Sequence, residues 1–273
     1  MARRGRRPRL IHLPPPSDRF DSWLASLEAK HLGDLTFAEV SRSLRALSAT
    51  YVERRQKLVE GAALSGRGKR AAFALFYGPL HHLLVAQIVR TLPAATHNIS
   101  TLIDLGCGTG AAGAAWASAL TPPPRIVGID IHPWAVREAA DTYRAFGLAA
   151  ATRQGDIGTM SLPKGRAALL AAFTLNELPD AAREEVLTRL VERTVLGDRL
   201  LIVEPLAGGV ARWWNRWRDT IERAGGRGDE WRFRIELPAI VAKLDRAAGL
   251  DHREITGRSL WLTTPSTVRP ASS

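Results

Sequence analysis

The sequence predicts an α/β protein with a mostly parallel seven-stranded sheet, a C-terminal antiparallel hairpin and an N-terminal helical cap. Two patterns support this prediction. After residue 99, short apolar runs alternate with segments of helical periodicity, the pattern of successive βα units around a parallel sheet. Before residue 99, apolar residues recur only at helical spacing. We therefore expect a helical unit ahead of the sheet in the chain.

Composition divides the chain further. Residues 1–16 are rich in arginine and proline, and we expect a disordered basic tail there. Residues 17–98 form the predicted helical cap, and residues 99–273 form the predicted sheet domain. Within that domain, residues 206–237 are rich in tryptophan and arginine and break the alternation, so we interpret them as an insertion.

Apolar spacing predicts the cap helices over Asp18–Leu32, from Thr36 to about Glu60, and over Ala71–Leu92 with an interruption at Gly78-Pro79. The second helix has a defined start, because Thr36 precedes Glu39 by three residues, the spacing of a capping box. The segment Ser65–Arg70 alternates small and basic residues and predicts a flexible basic loop.

Apolar runs and helical periodicity also predict the strands and helices of the sheet domain. Its predicted parallel strands are Thr101–Leu105, Arg125–Ile131, Ala150–Gln154, Ala167–Thr174 and Arg199–Glu204. Its predicted helices are Ala111–Leu120, Pro133–Phe146, Ala181–Thr194 and Pro238–Ala248. The last two strands, His252–Thr256 and Ser259–Thr263, flank Gly257-Arg258, which predicts a hairpin turn.

Composition excludes several classes of protein. The chain of 273 residues is 45% hydrophobic, enough for a packed core, and no apolar run reaches the ~18 residues of a membrane span. Cys107 is the one cysteine, so we expect neither a disulfide framework nor a metal site built on several thiolates. These features predict a cytoplasmic protein without a membrane partner.

The positive charge is unevenly distributed. The formal net charge of +11 divides into +8 for residues 1–70, −1 for residues 71–205 and +4 for residues 206–273. A near-neutral core with basic flanks favours a polyanionic partner such as RNA. The other interpretation is compositional, because 33 of the 38 basic residues are arginine.

The segment from Leu102 to Gly110 carries the clearest functional signal. A buried strand runs into Gly106, Gly108 and Gly110, and a helix follows. Glycines at these positions allow a tight turn and let a ligand lie against the main chain, facing the N–H groups of the helix start. Asp104 precedes the first glycine by two residues, where a carboxylate can fix the loop and attract an ammonium group.

Two more carboxylates follow neighbouring strands. Asp130 ends the second strand and is positioned to accept both hydroxyls of a ribose. Asp156 follows the third strand and is positioned to meet an adenine amino group. Ligands of open α/β sheets bind at the carboxyl ends of parallel strands, so these side chains predict one nucleoside site.

This combination resembles the class I S-adenosylmethionine (AdoMet)-dependent methyltransferases, whose sheet is Rossmann-like. The resemblance covers residues 100–264 and implies S-adenosyl-L-methionine as cofactor. It implies that Asp104 and the three glycines cradle the methionine part, that Asp130 and Ile131 bind the ribose side, and that Asp156 and Ile157 surround the adenine. It also implies that the segment containing Phe173 and Thr174 lines the methyl-transfer site.

A second motif keeps a dinucleotide site as an alternative. Residues 108–113 match the G-x-G-x-x-G pattern, although the match begins two residues beyond the first turn of the loop, at Gly106.

Methyl transfer from a sulfonium needs mainly an oriented acceptor and exclusion of water. Asn176 and Glu177 are the candidate acceptor contacts, with support of the cofactor loop as their alternative role. His81 and His82 lie on a predicted cap helix. We favour packing or solvent exposure for them, and the alternative is that one of them faces the site. Cys107 is predicted to be structural.

The Trp/Arg-rich insertion has two interpretations. Trp213 and Trp217 share a helix face, as do Arg212 and Arg216. Aromatic and basic side chains together can stack bases and neutralise phosphates, or the tryptophans can dock the insertion on the core, which we favour.

Short motifs outside the core are similar to the mitochondrial small-ribosomal-subunit methyltransferase-like family and its bacterial relatives: Phe37–Val40, Leu47–Tyr51, Tyr77–Pro79, Thr174–Leu178 and Val203–Pro205. This resemblance implies RNA, and small-subunit ribosomal RNA in particular, as acceptor or partner. The chain lacks that family's cysteine cluster, so no metal role is carried over. A methyltransferase of small molecules or proteins, and a non-catalytic ribosome-assembly factor, are the alternatives.

Overall fold

The computed structural model describes residues 17–53, 64–92, 95, 99–206 and 212–263. The predicted tail over residues 1–16, the predicted end of the second helix near residue 60 and most of the link between cap and sheet lie outside these residues. Among the described residues, the predicted fold class is confirmed: a mostly parallel sheet carries helices, and cap helices precede it.

The described residues form one seven-stranded sheet. Its strands are Thr101–Leu105 (β1), Arg125–Asp130 (β2), Ala150–Gln154 (β3), Ala168–Ala172 (β4), Arg199–Glu204 (β5), Arg227–Phe233 (β6) and Ile255–Thr263 (β7). The order across the sheet is β3-β2-β1-β4-β5-β7-β6. Strands β1 to β5 are parallel, and β7 runs antiparallel to β5 and β6. The chain reverses its direction of winding at β1 and β4, which places their carboxyl ends at the position where such sheets bind ligands.

The predicted turn at Gly257-Arg258 is wrong. Residues 255–263 form one continuous strand, and its outer partner is β6, which the sequence had placed in the insertion. Gly257 has another reason to be glycine: a Cβ there would lie 2.7 Å from Cδ2 of Leu84 on a cap helix. The residue marks a close approach of the cap to the sheet rather than a turn.

The described helices are Asp18–Leu32 (α1), Phe37–Glu53 (α2), Arg67–Ala72 (α3), Gly78–Thr91 (α4), Ala111–Ser118 (α5), Pro133–Ala145 (α6), Asp180–Val195 (α7), Arg212–Arg223 (α8) and Ala239–Ala247 (α9). The predicted capping box is present, because Glu39 Oε2 accepts from the backbone N–H of Thr36 at 2.8 Å. The Thr36 hydroxyl in turn accepts from the backbone N–H of Glu39 at 3.3 Å.

Helices α3 and α4 are joined without a break by a π-helical segment, Phe73–Tyr77. The predicted flexible loop at Ser65–Arg70 is therefore helical from Arg67, and Gly78-Pro79 does not interrupt the helix. The backbone N–H of Gly78 donates to Phe73 O, five residues back, and this wider turn accommodates Pro79, which has no N–H of its own. The helix Arg67–Thr91 is long and apolar enough to cross a membrane, but 78% of its apolar window is buried inside the protein, as in a core helix.

The cap shares one hydrophobic core with the α5 and α6 side of the sheet. Trp23 of α1 donates its indole N–H to Thr142 Oγ1 at 3.1 Å. Glu138, buried on α6, accepts from Lys30 Nζ at 2.7 Å and lies 3.0 Å from His31 Nε2. Burial raises the pKa of Glu138, but the hydrogen bonds from His31 and Lys30 outweigh it and the net pKa is lowered. The carboxylate therefore joins α1 to α6.

We expect Glu138→Ala to lower the free energy of unfolding by about 2 kcal/mol, because a buried charged acceptor with two donors is lost. Asp141→Ala, which removes a half-exposed carboxylate bonded to the same lysine, should cost no more than ~0.5 kcal/mol. Urea unfolding at pH 7 measures both variants. The stability of the wild type should also depend on pH. Because the pKa of Glu138 is lowered in the folded protein, its stabilising contribution is present above its ordinary pKa and is lost as pH falls through its folded pKa. Equal stability of the two variants would contradict the role of Glu138 in joining α1 to α6.

Candidate functional site

The glycine loop after β1 has the shape of a ligand cradle. Gly106, Gly108 and Gly110 have φ angles of 64°, 53° and 75°, in the left-handed region that favours glycine. The backbone N–H of Cys107 donates to Ile129 O of β2 at 2.9 Å, and the N–H of Gly110 donates back to Cys107 O at 2.7 Å. The chain therefore curls tightly at the carboxyl ends of β1 and β2 before α5 begins.

Two of these glycines are also required by their neighbours. A Cβ on Gly106 would lie 2.0 Å from Oγ1 of Thr174, the second residue after β4. A Cβ on Gly110 would lie 2.9 Å from the Cα of Ala139 on α6. The loop is thus held from one side by the exit of β4 and from the other by α6.

Asp104 lies beneath the loop. Its side chain is 1% exposed, and Oδ2 accepts from the Tyr143 hydroxyl at 2.8 Å and from the backbone N–H of Gly113. Burial raises the pKa of Asp104 to about 7, against these two donors. The carboxyl group fixes the start of α5, and its predicted attraction of an ammonium group stays a prediction.

Asp130 lies at the mouth of the cradle. Its Oδ2 accepts from the backbone N–H of Gly108 at 2.9 Å, and its Oδ1 accepts from that of His132 at 2.8 Å. Burial raises the pKa of Asp130, with these donors opposing. Each oxygen retains a lone pair for a further donor, and the next side chain, Ile131, is 65% exposed beside it. A carboxylate next to an exposed apolar surface suits a ribose joined to an adenine.

The β3 side is more open. Asp156 is exposed, and its Oδ1 accepts from the backbone N–H of Gly158 at 2.7 Å. Ile157 points into the core beneath the sheet and leaves little side-chain surface for a ligand. Asp156 therefore retains acceptor capacity toward the predicted adenine position, while Ile157 supports the loop from behind.

The exit of β4 holds the strained residue of the site. Phe173 has a φ angle of 59°, which is rare for a bulky side chain, and its N–H donates to Val203 O at 2.8 Å. Its ring stacks on His81 of α4, with centroids 3.7 Å apart and an interplanar angle of 11°. The adjacent histidine, His82, packs in the core between aromatic rings, and its Nδ1 lies 3.3 Å from Ala111 O.

Asn176 supports the site through a network that the sequence did not predict. The fully buried Glu204 accepts from the backbone N–H groups of Leu175 at 2.9 Å and Asn176 at 3.3 Å, and from the Asn176 side-chain amide. The Asn176 carbonyl oxygen accepts from the indole N–H of Trp213 at 3.1 Å. Both ends of the amide are engaged, which favours the supporting role. Glu204, at the end of β5, holds this segment from within.

Glu177 is the more available of the two predicted acceptor contacts. Within the described part of the chain its carboxyl group forms no hydrogen bond. Burial first, and then the negative charges of Asp130 and Glu204, raise the pKa of Glu177 to about 8. At neutral pH it therefore carries a proton that it can donate, and it faces the same region as Asp130.

Cys107 and the insertion have structural roles in the described chain. Cys107 is buried, and burial raises the pKa of its thiol, so the reactive thiolate is disfavoured. Trp213, Trp214 and Trp217 of α8 are buried against the core on the far face of the sheet. The favoured interpretation of the insertion is confirmed, and base stacking by these rings is excluded in this structure.

One helix crosses the mouth of the site. Along α3, the π segment and α4, Arg70 lies over the Trp134 ring, 5.9 Å from its centroid, beyond the end of β2. Next, a Cβ on Gly108 would lie 3.6 Å from the Phe73 ring, beyond β1. His81 then reaches Phe173 beyond β4. The cap therefore lies over the carboxyl ends of the three strands that carry the predicted site.

Comparison with known proteins identifies the domain. A family profile described as "Methyltransferase domain" matches residues 102–195, from β1 to the end of α7. No curated protein matches the chain significantly in sequence.

Two solved structures are similar in fold. Mitomycin 7-O-methyltransferase is 16% identical with a TM-score of 0.51, over 91% of this chain and 74% of that one. The N-methyltransferase NodS from Bradyrhizobium japonicum, in complex with S-adenosyl-L-homocysteine, is 15% identical with a TM-score of 0.50, over 78% of this chain and 100% of that one.

The sheet order and the glycine cradle have the class I methyltransferase fold, and the matched domain agrees with it. The chain is an AdoMet-dependent methyltransferase, with S-adenosyl-L-methionine as its cofactor. The residues present fit the cofactor, because the glycine loop turns tightly at the carboxyl ends of β1 and β2 and Asp130 has acceptor capacity at its mouth.

We expect Asp130→Ala to raise the Kd for AdoMet by roughly 30-fold, about 2 kcal/mol, through lost hydrogen bonds to the ribose and a looser loop. Asp141→Ala, on the outer face of α6, should leave the Kd unchanged. Isothermal titration calorimetry on variants with native circular dichroism measures the difference. Unchanged affinity in Asp130→Ala would remove the ribose assignment.

Glu177 predicts a dependence of stability on pH. Its folded pKa of about 8 lies above the ordinary 4.5, so its contribution is fully present below pH 4.5 and is lost as pH rises through 8. Glu177→Gln cannot ionise, and at pH 9 without cofactor it should exceed the wild type in stability by on the order of 2 kcal/mol. At pH 4.5 the two should be alike. Urea unfolding as a function of pH measures the difference, with Glu185→Gln, exposed on α7, as the control. Parallel stability profiles for the wild type and both variants would show that Glu177 is not buried.

Proposed function

We propose that this enzyme methylates RNA. The observation that supports the proposal is a cationic cap face, formed by Arg42, Arg45, Arg67, Lys69, Arg70, Lys243 and Arg246 of α2, α3 and α9. Near the start of α2 two acidic side chains are already engaged: Asp34 pairs with Arg67, and Glu39 is held in the capping box. Positive charge therefore predominates on this face.

Contacts between the helices keep the cationic cap face together. Arg45 donates to Ala247 O at the end of α9, at 3.4 Å. Lys243 of α9 lies over the Phe37 ring at the start of α2, 4.5 Å from its centroid. Because these contacts hold α2 and α9 together, the basic side chains form one continuous surface. Such a surface suits a chain of phosphates more than a single small anion.

The cationic cap face borders the cofactor cradle. Arg70 belongs to the face and lies over Trp134, three residues beyond Ile131 at the proposed adenine end. One helical turn further along, Phe73 approaches Gly108. A phosphate backbone bound along the face would bring its bases to the carboxyl ends of β1 and β4, where methyl transfer takes place.

The residues of the site supply orientation rather than strong acid or base chemistry. The cofactor, when bound, supplies an electrophilic methyl group on a positively charged sulfur. The glycine cradle fixes its position, the cap excludes water, and the protonated Glu177 can donate a hydrogen bond to the acceptor. Among RNAs, small-subunit ribosomal RNA is the acceptor that we propose, on the short motifs similar to that ribosomal family.

The proposal is tested by incubating the full-length protein with labelled AdoMet and total cell extract, followed by separation of RNA, protein and small molecules. We expect label in RNA, and in small-subunit ribosomal RNA within it. Label confined to protein or small molecules would overturn the RNA assignment. Salt-dependent RNA binding without any transfer of label would instead favour an assembly factor.

Charge-reversal variants test whether RNA binds at the cationic cap face. The triple variant Arg42→Glu, Arg45→Glu, Lys243→Glu should bind RNA more weakly, and the slope of log K against log salt should fall by about 2 to 3. The matched variant Lys164→Glu, Arg223→Glu, Arg232→Glu changes the net charge equally at exposed positions away from the cap, and its slope should stay closer to that of the wild type. Equal losses in both variants would show that net charge, not this face, attracts the RNA.

A further inference from the structure

Four half-buried aromatic side chains meet between the cap and the cofactor cradle: Phe73, Tyr77, His81 and Phe173. Phe73 lies 6.0 Å from His81 in an edge-to-face arrangement and 5.8 Å from Tyr77, measured between ring centroids. His81 stacks on Phe173. Aromatic rings in a core are usually enclosed, whereas each of these retains some accessible surface. We call this group the aromatic mouth.

The position of the aromatic mouth links it to methyl transfer. Phe73 faces Gly108 of the cradle, and Phe173 immediately follows β4 and precedes Thr174, which packs on Gly106. The rings therefore lie above the glycine loop, between Gly108 and the exit of β4. An acceptor must approach the cofactor from a side that the nucleoside end does not occupy.

His81 is the polar member of the mouth whose ring nitrogens have no hydrogen-bond partner among the described residues. Its ring contacts there are with Phe73, Tyr77 and Phe173. The neighbouring His82, in contrast, has Ala111 O within reach. A half-buried imidazole without partners loses hydrogen bonds with water and gains none from the protein, unless a ligand supplies them.

Burial lowers the pKa of His81 to about 3, so its ring is neutral at physiological pH. A neutral imidazole has one N–H donor and one acceptor nitrogen. A group with so low a pKa is a poor proton acceptor, and a positively charged cofactor nearby would weaken it further. The side chain is therefore suited to orienting an acceptor and poorly suited to taking its proton.

We propose that the aromatic mouth binds the methyl acceptor as a flat nucleobase, and that His81 orients this base by hydrogen bonds from its ring nitrogens. The inference rests on the proposed function, because the cationic cap face would deliver single-stranded RNA to this position. Rings such as Phe73 and Tyr77 offer stacking surfaces for any base, whereas His81 offers a donor and an acceptor that can distinguish one base edge from another.

His81→Phe is the decisive variant, because it keeps a ring to stack on Phe173 and removes both nitrogens. We expect AdoMet affinity within twofold of the wild type, a raised KM for the RNA acceptor and about a tenfold or greater loss in kcat/KM. His81→Gln, which again offers a donor and an acceptor, should recover part of the loss. Glu185→Gln, at an exposed position on α7, is the control and should behave as the wild type does.

The outcomes separate the two proposals. Wild-type rates in a folded His81→Phe overturn the role of His81 even when RNA is the acceptor. Label that enters only protein or small molecules overturns the RNA assignment, and the nucleobase with it, and a loss in His81→Phe on that acceptor would still support the orienting role. A loss of AdoMet binding in both His81 variants would show that the histidine only supports the cradle, and would overturn the proposal.

Discussion

The packing of the glycine loop between the exit of β4 and helix α6 is the constraint on which the rest of the site depends. Gly106 leaves space for Thr174, and Gly110 leaves space for Ala139, so the loop has no room for larger side chains on either flank. Beneath it, the bond from Tyr143 to Asp104 ties α6 to β1. Because α6 also carries the carboxylate that binds the cap, the cradle and the cap are positioned by one helix.

Carboxyl groups are concentrated where a cationic cofactor would be bound. Glu177 and Glu204 have raised pKa values because they are buried and, for Glu177, because Asp130 and Glu204 are near. Burying carboxyl groups together is costly without a compensating cation. AdoMet carries a positive sulfur and an ammonium group, so binding it would relieve part of this cost. The carboxyl groups thus favour a cation at this site.

Much of the fold and the tight glycine loop could be predicted from the sequence, because their signals are local. The strand before Gly106 and the carboxylate after β2 follow from a few adjacent residues. Strand β6 was missed because it is an edge strand, and only Trp231 and Phe233 mark its buried face. Gly257 was misinterpreted, since a close approach to Leu84 cannot be distinguished from a turn without the partner. The stack of His81 on Phe173 joins residues far apart in the chain, and no local pattern encodes it.

In our proposals, binding of a polyanion and orientation of an acceptor belong to one element, the cap helix. Arg70, Phe73, Tyr77 and His81 are spaced by three or four residues, so they form one stripe along the helix. The π-helical segment lies in the middle of this stripe and widens the helix where it passes Gly108. One end of the stripe presents a cation beside Trp134, and the other presents an imidazole at Phe173. A substrate bound along this stripe is therefore in register with both the cofactor and the exit of β4.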